Sequence, residues 1–170
     1  MKRFASSAVI VLVCVFAIFG QKAGVGKIDP ARGVRDAFDR LVEGIKQVDA
    51  EKVMAAYEKS DRLLIFNNNG SATQSWETVK ANVDASYAKI SNVTLDITGL
   101  RVEMLGKTNA YVSCKWKQTQ ETDGKLESSA GRMTLVYKLV GKDWKITHRH
   151  TSPDRPDATR PVFPSERDGQ

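Results

Sequence analysis

The hydrophobic positions of this chain change period once, near its middle. Between residues 34 and 90 they recur every three or four places; from Asn92 onward they alternate. Val34, Ala37, Phe38, Leu41, Val42, Ile45 and Val48 follow Pro30 at helical spacing, with charges between them, which predicts an amphipathic helix. Asp49 is placed to cap a second, short helix with Val53, Met54 and Tyr57 on its apolar side. Leu63 to Phe66 reads as a short strand, closed by the turn-forming run Asn67-Asn68-Asn69-Gly70. Ser75 is a cap for a third helix, Trp76 to about Ile90, striped by Trp76, Val79, Val83 and Tyr87.

The alternating half predicts four long antiparallel strands. Val93 to Met104 is the first, with Gly99 marking a bulge where its inward face switches. Ala110 to Thr122 puts Val112, Cys114 and Trp116 on one face, and Asp123-Gly124 is a hairpin dipeptide. Next come Met133, Leu135, Tyr137 and Leu139 on one face, with Arg132, Thr134 and Lys138 opposite. The last strand, Trp144 to Ser152, puts Trp144, Ile146, His148, His150 and Ser152 on one face by strict alternation, against Lys145, Thr147, Arg149 and Thr151. Helices first and a strand meander after them argue for an α+β domain, with helices on one face of a curved sheet and a conical cavity between.

The two ends read differently. Lys2 and Arg3 precede the uncharged run Ala8 to Gly20, too short for a comfortable membrane span and suited to an export signal. Residues 1–23 are therefore expected to be a signal peptide, an uncleaved anchor being the alternative, with residues 24–32 as a linker. Cleavage would leave a periplasmic or secreted protein, with no membrane contact afterwards. After Ser152, four of the five prolines fall among Arg, Asp and Ser, so residues 154–170 are expected to form a disordered tail. Without Lys2, Arg3 and Lys22 the chain carries 23 basic against 20 acidic residues, interleaved, which supplies no concentrated patch for nucleic acid. One cysteine, Cys114, would survive cleavage, so no internal disulfide is expected. Asn69-Gly70-Ser71 and Asn92-Val93-Thr94 match glycosylation acceptors, a short pattern frequent by chance.

The chain resembles the nuclear transport factor 2-like superfamily, in its SnoaL-like branch, over about residues 33–153. The resemblance rests on the three-helix start, the strand after Tyr57, Asn69-Gly70, Gly131-Arg132 and Trp144-x-Ile146-x-His148-x-His150-x-Ser152. The final pattern is similar to the end of calcium/calmodulin-dependent kinase association domains and of small bacterial relatives. The resemblance implies a cone-shaped fold of three N-terminal helices on a mainly antiparallel sheet; it does not imply one reaction. Ketosteroid isomerases of the superfamily place an acidic base and a Tyr/Asp pair in the cone. The strand residues expected to enter it here, Val112, Cys114, Trp116, Met133, Leu135, Tyr137 and Ile146, include no carboxylate. Leu135 stands where kinase association domains carry a pocket arginine.

Candidate chemistry converges on the last strand. His148 and His150 are candidate acid/base groups, or pocket-wall residues donating to a backbone carbonyl. His-x-His also suits a metal, but a third ligand would have to come from Cys114 or an unplaced carboxylate, so no metal and no cofactor is expected. Tyr57, Trp116, Gln118, Tyr137, Trp144, His148 and His150 are the expected pocket residues. Three functions follow: an exported module holding a small apolar or mixed-polarity molecule, a cofactor-independent isomerase, lyase or hydrolase using the histidines, or an association module. A homodimer through the outer sheet face, with Lys115, Lys117, Thr119 and Thr134, is expected.

Overall fold

A computed structural model describes Asp29 and residues 31–154. The expected signal segment, most of the linker and nearly all of the tail lie outside the described residues. Helix α1, Arg32–Lys46, buries Val34, Ala37, Phe38 and Leu41 along one stripe. It ends where Val48 takes a left-handed φ of 54°, a conformation that breaks a helix. Asp49 then accepts a hydrogen bond from the Lys52 N–H at 2.9 Å and starts α2, Ala50–Ala55. The two helices pack closely because Gly44 leaves room: a Cβ there would lie 3.0 Å from that of Lys52.

Strand β1, Leu64–Phe66, turns through Asn67–Gly70 into β2, Ala72–Gln74, a strand that three unremarkable residues did not announce. Ser75 caps α3, Trp76–Tyr87, accepting from the Thr78 N–H. Four long strands complete the chain: β3 (Ile90–Met104), β4 (Asn109–Thr122), β5 (Lys125–Val140) and β6 (Asp143–Pro153). The sheet order is β2-β1-β6-β5-β4-β3. All pairs are antiparallel except β1 with β6, which makes the sheet mixed. Strand β3 shifts register between Thr98 and Arg101, at the Gly99 bulge, and again between Ser91 and Thr94. Such bulges bend and twist a sheet, so it curves over the helices. Asp123 and Gly124, both at positive φ, form the tight β4–β5 turn.

The core fills the narrow end between sheet and helices. Phe38, Leu41, Met54, Leu63, Ile65, Leu135, Tyr137 and Ile146 are all buried there. Each such side chain contributes about 1.5–3 kcal/mol by leaving water, which is what holds the helices to the concave face. No helix among the described residues is long and apolar enough to cross a membrane.

Candidate functional site

The last strand does not alternate throughout. Tyr137 of β5 pairs with Ile146, but its neighbour Val136 pairs with His148, so Thr147 is an extra residue bulged out of the ladder. Beyond it, the two faces of β6 are exchanged relative to strict alternation. Arg149 now lies opposite buried Leu135 and beside buried Ile65, on the concave face. His148 and His150 lie opposite Val136 and Thr134, beside Leu64 and Phe66.

This overturns the expected placement of both histidines. They sit on the outer sheet face, edge-on to the Phe66 ring with centroid separations of 5.4 and 5.7 Å. Phe66 itself is 40% exposed. The Nδ1–H of His148 donates to the Leu64 carbonyl at 2.9 Å, which leaves Nε2 as the acceptor nitrogen. Cys114 is buried on the opposite, concave face, so it shares neither a metal nor a proton with either imidazole. Burial pushes its thiol up to about 11, against the activation that a nucleophile needs.

The open end of the cone is a cavity of about 450 Å³ between α1, α2, α3, β1, β2 and the inner faces of β4 and β6. Ile45, Val53, Ile65, Val79 and Val83 make its apolar wall; Asn67, Thr73, Asn82 and Gln118 make its polar part. Among the described residues, Arg149 is the one charged residue that lines it. The guanidinium donates from Nη1 to the Tyr57 hydroxyl at 3.0 Å and from Nη2 to Asn67 Oδ1 at 3.3 Å. Tyr87 closes the group from α3; burial, with a smaller contribution from nearby Tyr57, pushes its phenol up to about 12.

The remaining expected residues divide among different places. Gln118 lines the cavity and donates to Gln120. Tyr57 is buried beside it as the acceptor for Arg149. Trp116 lies against Gly131 on the concave face, its indole N–H buried and unpartnered among the described residues. Tyr137 is deep in the core, where burial raises its phenol far above the usual range. Trp144 belongs elsewhere. It packs against the core and lines a separate groove of about 620 Å³ with Ala37, Arg40, Lys52, Ala55 and Lys145. Arg149, Asn67, Asn82 and Tyr87 were missed as site residues. Only the Tyr87 helical stripe and the Asn67–Gly70 turn gave any sign of their position.

A cone of helices on a bent mixed sheet, with its mouth between the third helix and the last strand, defines the nuclear transport factor 2-like fold. The chain belongs to the SnoaL-like domain family, which matches residues 34–156. Among solved structures it is similar to a nuclear transport factor 2-like superfamily protein from Salmonella enterica serovar Typhimurium (TM-score 0.70, 16% identity, 79% of this chain and 97% of that one). It is also similar to a ketosteroid isomerase-like protein from Erwinia carotovora atroseptica (0.64, 13%, 76% and 100%). A candidate calcium/calmodulin-dependent protein kinase II association domain from Xanthomonas campestris gives 0.63, 21%, 75% and 89%. At these identities the likeness is one of fold. A search of curated proteins finds no match.

Proposed function

We propose that this domain is a binding module that holds a small molecule of mixed polarity in the cone. The observation that carries this reading is the cavity itself: about 450 Å³, walled by aliphatic side chains and edged by carboxamides and hydroxyls. That size and mixture suit a small organic ligand. Among the described residues, the lining offers no imidazole and no carboxylate, the groups that most often move protons near neutral pH. This favours retention of a ligand over its turnover, and it separates the domain from the isomerase chemistry suggested by the name of its Erwinia relative. Export through the N-terminal segment and pairing of two copies through the outer sheet face belong to the same proposal.

The test is a thermal-shift and calorimetric screen of residues 24–170 with small apolar and mixed-polarity molecules, on wild type and Val83→Trp. The substitution fills the cavity from a half-buried position on α3. A ligand that stabilises wild type and not the variant supports the reading. Ligands that stabilise both equally, or none that stabilises either, refute it.

A further inference from the structure

We propose that the molecule held in the cone is a carboxylate with an apolar body, clamped by Arg149; this rests on the binding function proposed above. A guanidinium is always charged in proteins and carries five N–H donors. Within the described residues Arg149 donates to two acceptors, Tyr57 Oη and Asn67 Oδ1, and both are neutral. Its Nε–H is buried without a partner. Among the described residues, no ion pair includes Arg149 and no Asp or Glu lines its cavity. A half-buried cation without a counter-charge is costly unless something supplies one.

The rest of the cavity agrees with that deficit. Asn82 and Gln118 add carboxamides, and Ser71, Thr73 and Ser86 add hydroxyls. One fixed positive charge matches a monoanion better than a phosphate dianion, and the planar fork of arginine matches the two oxygens of a carboxylate. The aliphatic wall of Ile45, Val53, Val79 and Val83 is where the body of that acid would lie.

Matched pairs decide the matter. Benzoate, phenylacetate and hexanoate would be titrated calorimetrically against benzamide, phenylacetamide and hexanamide, on wild type, Arg149→Gln and Arg149→Lys. The expected result is that at least one acid binds wild type tenfold or more tightly than its amide, and that Arg149→Gln abolishes the difference. Arg149→Lys, which keeps the charge and loses the fork, should retain part of it. Equal binding of acid and amide to wild type overturns the carboxylate and leaves the binding module standing. Saturable binding of neither set overturns both. The comparison on wild type needs no variant, so it stands even if Arg149→Gln does not fold.

Discussion

Gly131→Ala offers the sharpest test of how the sheet supports the cone. Gly131 lies on β5, opposite Trp116 of β4 and Pro153 of β6. Its φ is not left-handed, so alanine is acceptable to the backbone and only space forbids it. A Cβ built there lies 2.2 Å from the Ser152 carbonyl oxygen, and 3.0 and 3.1 Å from two atoms of the Trp116 indole. The indole could tilt, but the carbonyl belongs to a paired strand and can retreat only if β5 and β6 separate. Overpacking of this kind costs about 3 kcal/mol, which for a domain of this size lowers Tm by roughly 10 °C. The control is Gly106→Ala, where φ is 84° and nothing lies within 4 Å; there the cost is conformational alone, about 1 kcal/mol. Both variants would be followed by calorimetry or circular dichroism. If Gly131→Ala melts no lower than Gly106→Ala, the close approach of Trp116 and the Ser152 carbonyl is not real. A displaced indole would also narrow the cone, so any ligand should bind Gly131→Ala more weakly.

Three further outcomes are expected. His148→Ala should cost about 1 kcal/mol by orphaning the Leu64 carbonyl, and His150→Ala under about 0.5; neither should change ligand affinity, and a loss beyond threefold would return the histidines to the cavity. With burial raising Cys114 to about 11 and Tyr87 to about 12, the unfolded chain releases these protons first, so their stabilising effect is complete below about pH 8.5 and lost as pH climbs towards 12. Urea midpoints at pH 7, 9 and 11 should therefore fall over the last interval, and fall less in Cys114→Ala; a constant or rising midpoint contradicts the burial. Ser75 caps α3 from a φ of 72°, so Ser75→Ala should lower stability by about 1 kcal/mol and Ser75→Gly by less, because glycine accepts that backbone; the reverse order in chemical denaturation would refute this.

What was legible in the sequence was local. Asp49 and Ser75 declare helix starts through bonds that span three residues, and Gly99 declares a bulge because its φ of 63° suits glycine. The alternation that puts Val112, Cys114, Leu135 and Tyr137 inside also held, since each faces the helices within an unbroken ladder. The site was not local. Thr147 bulges without a glycine or proline to mark it. The parallel partners of β6 are more than eighty residues away, Leu64 beside His148 and Tyr57 bridging to Ile146. Alternation counted through the bulge therefore put two imidazoles in the cone and Arg149 outside, the opposite of what the pairing dictates.

Thr147 thus acts as a selector between two kinds of protein. Run straight, β6 would offer the cavity a pair of titratable bases and turn its guanidinium to solvent; with the extra residue it offers a permanent cation and keeps the bases outside. The side chains on offer are the same nine, Trp144 to Ser152. Among relatives, gaining or losing a bulge here would change what the pocket can do while leaving the order of residues almost intact, so alignment of this motif by letter alone would pair residues that face opposite ways.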